Sequence, residues 1–326
     1  MLILSGANIN RCDNNGCSPI IIACKRGHTG IVDMLLNKKA DVIKCNNKGQ
    51  SLLMYACKYG RTKIVRILVD KGVDYSKYDK KGMSPLMYAC KHGNTGSVRI
   101  LLDKGGDFNS CYVDGSSLIM HACENKNYKI VRMLILIGAD FKERDRDGRS
   151  MLMKVCGYLN KEIACLLLEK DADFNKCDRW GVSPLMYACE YGHTEIIVKK
   201  LLDKGADFNK CDRSGQTPVM KACINGHEKI VSLLLDKGSD YEEIDRMLQS
   251  PIMKACEHGH TEIVKKLLDK GVDFKKCDRL DKGSDYEEID RTLQSPIMKA
   301  CEHGHTEIVK KLLDKGADFN KCDRSD

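Results

Sequence analysis

Eighteen cysteines and nine histidines are the side chains of this 326-residue protein best suited to redox, metal or nucleophilic chemistry. Nine cysteines recur in one slot: Cys24, Cys57, Cys90, Cys123, Cys156, Cys189, Cys223, Cys256 and Cys301. Seven more recur in another: Cys12, Cys45, Cys111, Cys177, Cys211, Cys277 and Cys322. Equivalent slots on stacked helices lie about 8–10 Å apart. A disulfide needs Cα atoms within roughly 4.4–6.8 Å, and a zinc site needs several thiolates about 2.3 Å from one metal. Periodic placement therefore reads as small buried hydrophobes in a reducing compartment, the cytoplasm or the nucleus. There is no CxxC motif. His258-Gly-His260 and His303-Gly-His305, near Glu262 and Glu307, each offer two imidazoles. A zincin needs His at i and i+4 of one helix with Glu between them, whereas a glycine separates these. They read as one surface imidazole and one that orients the turn between helices. Nucleotide-binding, GxSxG and kinase signatures are missing from the sequence. No catalytic residue, metal or cofactor is expected, and the chain reads as non-enzymatic.

Charge and aromatic placement point to binding instead. Residues 1–111 hold 18 Lys and Arg against 8 Asp and Glu, more than the whole chain's surplus of 54 basic over 46 acidic residues, so the remainder is slightly acidic. Lys25, Arg26, Lys48, Lys58, Lys80, Lys81 and Lys91 fall in recurring surface slots, where they would steer a partner with an acidic patch. A solvated lysine-rich face is the plainer reading. Nucleic acid is disfavoured by a pI near 8.6 without an Arg/aromatic platform. Farther along, Tyr59, Tyr158, Trp180 and Tyr191 occupy the same slots, beside Arg146, Arg149 and Arg179, with Glu190, Glu257 and Glu302 forming an acidic end. Aromatic and Arg residues are common energetic centres of interfaces. Trp180, the one tryptophan, is read either as such an anchor or as filler between turns. Tyr55, Tyr88 and Tyr187 read as partly buried packing.

The elements that carry these slots follow from a repeat. Units run over 13–45, 46–78, 79–111, 112–144, 145–177, 178–211, 212–244, 245–277 and 290–322. Eight have one length, and the sixth is longer by one, with Ile197 read as the extra residue. Residues 1–12 match the end of a unit, and 323–326 the start of another. Each unit reads as a turn, two short helices and a loop. Ser or Thr opens the first helix in all nine: Ser18, Ser51, Ser84, Ser117, Ser150, Ser183, Thr217, Ser250 and Ser295. All six prolines follow directly, at the position where a missing N–H costs nothing. A glycine separates the helices, and Lys-Gly ends the second, as at Gly72 and Gly105. Neither helix reaches the ~12–15 residues needed for independence, so each unit must lean on its neighbours.

With the Asp-x-x-Gly turns (Asp79, Gly82; Asp178, Gly181), the Ser-Pro-Leu and Thr-Pro-Val helix starts, Ala-Cys, Gly-His and Leu-Leu-Asp-Lys-Gly-Ala-Asp, the units resemble ankyrin repeats. The resemblance implies an all-α solenoid of about nine full repeats, helix–turn–helix units with β-turn or hairpin fingers. It also implies that other proteins bind the concave face and turn tips, the chain acting as a non-catalytic scaffold or adaptor. A second reading is a targeting or regulatory arm of a larger multidomain protein whose catalytic part lies outside this chain. A third follows from the phrases around Asn209 and Asn320, which resemble sites that asparaginyl hydroxylases modify. One departure from the family is consistent: its usual His is Met in eight units, such as Met54 and Met87, and Ile21 in the first. Packing of a flexible thioether is expected to replace the hydrogen bonds of that His.

Several units depart from the pattern. Lys126, Leu159 and Asp171 stand where glycines are usual, and unit 145–177 is expected to be the weakest internal one. Leu248 and Leu293 replace turn glycines. Residues 280–324 copy 235–279 apart from Met247/Thr292, Val272/Ala317 and Lys275/Asn320, which leaves 278–289 as an inserted loop. No run approaches the ~18 apolar residues of a membrane span, and the opening MLILSGANIN is too short and uncharged to read as a signal peptide.

Overall fold

A computed structural model describes residues 8–112, 115–158, 160–192, 195–272, 274 and 294–317. The expected loop 278–289, Asn320, Leu159, Leu293, Cys277, Cys322 and residues 323–326 lie outside them. The described residues form nine helix pairs. In chain order these are α1 (Pro19–Arg26) and α2 (Thr29–Asn37), α3 (Leu52–Lys58) and α4 (Thr62–Asp70), α5 (Pro85–Lys91) and α6 (Thr95–Asp103). Then come α7 (Leu118–Glu124) and α8 (Tyr128–Leu136), α9 (Met151–Gly157) and α10 (Lys161–Glu169), α11 (Pro184–Glu190) and α12 (Glu195–Asp203). The last three pairs are α13 (Pro218–Ile224) and α14 (Glu228–Asp236), α15 (Pro251–Glu257) and α16 (Thr261–Asp269), α17 (Pro296–Glu302) and α18 (Thr306–Asp314). Every second helix has nine residues, too few to persist alone.

The first helices are held at their starts by a device that differs from the expected one. Ser84 Oγ accepts from Met87 N at 3.2 Å, and Met87 Sδ in turn accepts from Ser84 N at 3.3 Å. The same reciprocal pair closes on Ser51 with Met54, Ser150 with Met153, Ser183 with Met186 and Ser295 with Met298. The thioether thus does more than pack: its sulfur takes the place of the Glu or Gln oxygen of a capping box. The cap is not universal. Ser18, Ser117 and Ser250 make no side-chain cap bond, and Ser18, whose unit carries Ile21 in place of Met, has a buried Oγ without a partner.

Where glycines are replaced, the backbone keeps the left-handed bend. Lys126, Asp171 and Leu248 have φ of 57°, 56° and 58°, as does Lys39 at 57°, while Gly72 at the equivalent site to Lys39 has φ 74°. Such a backbone costs an L side chain roughly 1–2 kcal/mol. The stack therefore imposes the turn on the sequence at these sites.

The extra residue of the sixth repeat is not Ile197. Ile197 and Val198 are fully buried in α12, like Ile263 and Val264 in α16, and Ile196 is the exposed neighbour, equivalent to Glu262. Helix α12 keeps nine residues, Glu195–Asp203, like the other second helices. Burial decides the register, because sliding the helix would move its whole apolar stripe.

Two compact blocks contain the pairs, Met1–Asp145 and Arg146–Asp326. In the first, α1, α3, α5 and α7 pack in series, as do α2, α4, α6 and α8. In the second, α9, α11, α13, α15 and α17 do the same, flanked by the series α10 to α18. Neighbouring repeats are joined by side chains just ahead of each second helix. Asn94 Nδ2 donates to Cys57 O at 2.6 Å and Asn127 Nδ2 to Cys90 O at 2.9 Å. His227, His260 and His305 place Nε2 within 3.0–3.1 Å of Glu190 O, Ile224 O and Glu257 O. These carbonyls are among the orphans at a helix end, and the brace satisfies them. The last contact ties the ninth repeat directly to the eighth. Turn tips are joined by backbone bonds such as Lys80 N to Lys48 O, 3.1 Å, and Arg213 N to Trp180 O, 2.8 Å.

The slot cysteines fill the seam between helices. Cys24, Cys57, Cys90, Cys123, Cys156, Cys189, Cys223 and Cys256 are fully buried. Burial pushes the thiols of Cys24, Cys156 and Cys256 up to about 12 and those of Cys57, Cys90, Cys189 and Cys223 upward as well, so they stay protonated and unreactive. Cys301 departs from the expected burial: it is exposed, because among the described residues no first helix follows α17 to cover it. The unit-closing slot departs as well, with Cys111 and Cys211 exposed and Cys12, Cys45 and Cys177 half-buried.

Candidate functional site

In five of the described repeats the turn is built around one residue that also ties it to the first helix. Asp79 Oδ1 accepts from the amides of Lys81 and Met83, at 2.8 and 2.9 Å, which shapes the turn tip. Asp79 Oδ2 accepts from the Tyr88 hydroxyl at 2.7 Å. The arrangement recurs with different chemistry. Asp178 takes the Tyr187 hydroxyl at 3.0 Å; Asn46 Nδ2 donates to the Tyr55 oxygen at 2.9 Å. In later repeats a lysine replaces the tyrosine: Lys221 lies 3.2 Å from Asp212, and Lys254 lies 2.9 Å from Asp245. Tyr55, Tyr88 and Tyr187 are therefore more than packing. They fix the height of the turn above the first helix.

On this frame the first block carries a groove of about 780 Å³ between the turn tips and the ends of the first helices. Its floor is Tyr88, buried at 6% exposure, with Met83 and Gln50, whose Nε2 donates to the Tyr88 hydroxyl at 2.5 Å. Burial and the bond to Asp79 raise the Tyr88 phenol to about 12, so it stays neutral. Tyr112 and His121 close one end, ring centres 4.2 Å apart. Lysines form the rim: Lys48 and Lys81 at the tips, Lys58 and Lys91 at the ends of α3 and α5. Lys58 Nζ sits over both the Tyr59 and Tyr88 rings, 5.6 and 6.0 Å from their centres, and Lys25 Nζ lies 5.8 Å from that of Tyr59. His92 stacks on Tyr88 and is held below the usual imidazole range by partial burial, then by the charges of Lys58 and Lys91. The site concentrates positive potential on an aromatic floor, where the one lining carboxylate, Asp79, is already engaged. Its lysines are suited to holding an anionic group, with the rings supporting Lys58 from beneath.

Of the basic residues singled out in the sequence, Lys48, Lys58, Lys81 and Lys91 line this groove, and Lys25 reaches toward it through Tyr59. Arg26 and Lys80 are exposed but outside it. Sequence reading missed Gln50, His92, Tyr112 and His121 as lining residues; the signal for Tyr112 was present, since it replaces the turn Asp or Asn of other repeats.

The second block holds the other candidates. Trp180 is 41% exposed, with the Arg179 guanidinium 4.4 Å from its ring centre. Arg179 and Arg149 also pair with Asp147, at 2.9 and 3.0 Å, so one carboxylate answers two of the arginines. Tyr191, 48% exposed, stacks on Tyr187. Glu190 lies 3.6 Å from Lys221 and Glu257 4.0 Å from Lys299, so the acidic end is largely paired. Tyr158 caps α9, and Arg146 is exposed. Arg149, Arg179, Glu190 and Glu257 each have an opposite charge within 4.0 Å, whereas among the described residues no ion pair holds Lys48, Lys58, Lys81 or Lys91.

The histidine pairs have structural partners. His258 and His303 place Nδ1 3.0 Å from the carbonyls of Lys254 and Lys299, while His260 and His305 form the braces above. Asn209 Oδ1 accepts from Asp240 N at 3.0 Å and helps hold the following loop.

A family model described as ankyrin repeats in three copies matches residues 1–79, 77–145, 119–210, 152–245, 195–278 and 245–323. No curated protein matches the chain.

Proposed function

The chain belongs to the ankyrin-repeat family, and we propose that it is a non-catalytic scaffold that binds an acidic protein segment in the lysine-rimmed groove of its first block. Ankyrin repeats in general mediate protein–protein interaction and are typically non-catalytic. The observation that carries the finer reading is the convergence of Lys48, Lys58, Lys81 and Lys91 on the Tyr88 floor, where the single lining carboxylate is already held by the turn and the tyrosine. Charge complementarity of this kind sets specificity and association rate. The cluster around Trp180 would serve as a second contact. No helix among the described residues is long and apolar enough to cross a membrane. The buried thiols support placing the protein in the reducing cytoplasm or nucleus.

Titrating the full chain with a fluorescent acidic peptide tests this. Lys58→Glu with Lys91→Glu should weaken binding at least about tenfold, roughly 1.4 kcal/mol, with the helical circular dichroism unchanged; Trp180→Ala with Tyr191→Ala should matter less. Burial, and then the field of Lys58 and Lys91, hold His92 below the ordinary imidazole range. Bound carboxylates would offset the lysine field and favour its cation, so binding should tighten as the pH falls into that lowered range. Equal affinity in the wild type and the charge-reversed protein would reject the groove.

A further inference from the structure

The lysines of the groove come as two pairs displaced by one repeat: Lys48 with Lys58, then Lys81 with Lys91. Helices α3 and α5 pack directly against each other, so the two pairs are set apart by roughly the 8–10 Å of packed helices. A segment lying across the helices must present its carboxylates at that pitch. In an extended strand, side chains on one face recur every second residue, about 6.6–6.8 Å apart, which is too short for one repeat. An α-helix rises about 5.4 Å per turn and meets the pitch only after two turns. A polyproline-II helix has three residues per turn and about 3.1 Å rise, so every third side chain returns to one face after about 9.3 Å.

The floor fits the same conformation, for aromatic-lined grooves are where polyproline-II segments dock. Tyr88 in the floor and Tyr112 at the end have their hydroxyls already bonded, to Asp79 and to Met87 O, and turn only a small part of each residue, 6% and 8% exposed, toward the groove. Such a segment is also pre-ordered and loses little entropy on binding. We propose that the groove takes an acidic segment in polyproline-II conformation whose carboxylates recur at every third residue, one reaching Lys48 and Lys58 and the next Lys81 and Lys91. This deepens, and rests on, the reading of the groove as a protein-binding site.

The experiment uses the full chain and labelled synthetic peptides of identical composition, glutamates in a proline-rich background, spaced two, three, four or seven residues apart. Fluorescence anisotropy should show the three-residue spacing binding at least about tenfold tighter than the others. That advantage should vanish in Lys58→Gln with Lys91→Gln, which removes charge without introducing repulsion. Equal affinity at all spacings, or tightest binding at two, four or seven, would overturn the three-residue register while leaving the groove reading intact. If none of the peptides binds, both the groove reading and the register fail.

Discussion

At Met54 the sulfur accepts from the Ser51 amide at 3.3 Å while the Ser51 hydroxyl accepts from Met54 N at 3.2 Å, all within a fully enclosed helix start. Met54→Leu keeps the volume and deletes only the sulfur acceptor. If the thioether merely packed, the exchange would be nearly neutral; leaving a buried amide unmatched should cost about 1–2 kcal/mol. Urea denaturation would separate the two. The sequence showed Met in this slot eight times but not that its sulfur could close a cap, since volume and polarity both described it as a filler. The turn locks were hidden for a related reason. Asp79 with Tyr88 and Asp245 with Lys254 perform one task with different chemistry, so the pairing is visible only when the turn is folded back over its helix. Lys254 and Asp245 form a buried ion pair, which limits later repeats to substitutions that keep a donor opposite the carboxylate.

At the scale of elements, the seven- to nine-residue helices gain order from the braces that cross from one repeat to the next. His260→Ala removes the ring nitrogen that meets the Ile224 carbonyl at the end of α13 and opens space beside Gly226, where an added Cβ would run into that ring. Stability should fall by about 1–3 kcal/mol, and hydrogen exchange should quicken most in α13 and α15, on either side of the lost brace. Uniform acceleration through the second block would mean that the repeats are held by burial alone. Periodicity made the helix pairs, their starts and their glycine stops legible, because the 33-residue phrase repeats the same capping and apolar stripe. It misplaced the extra residue of the sixth repeat at Ile197, since Ile196 and Ile197 are identical as letters and only packing distinguishes the buried one. It also gave no warning that Lys39 would take a left-handed turn, where Lys-Lys stands in place of Lys-Gly.

On the scale of the molecule, the repeats divide charge rather than sharing it. Basic surplus lies in residues 1–111, and there the rim lysines converge on one groove. In the second block, Asp147, Glu190 and Glu257 meet arginines and lysines directly, which leaves its surface closer to neutral balance. Sequence spacing located the lysines but not the tyrosines and histidines between them, because those residues come from two repeats and meet only on stacking. The most direct measurement is hydrogen–deuterium exchange of the full chain with and without a saturating acidic peptide. The account predicts slowed exchange in residues 46–60 and 79–92, where the turn tips and first helices carry the four lysines. Protection confined to residues 178–191, or to the second helices α2, α4 and α6, would contradict it.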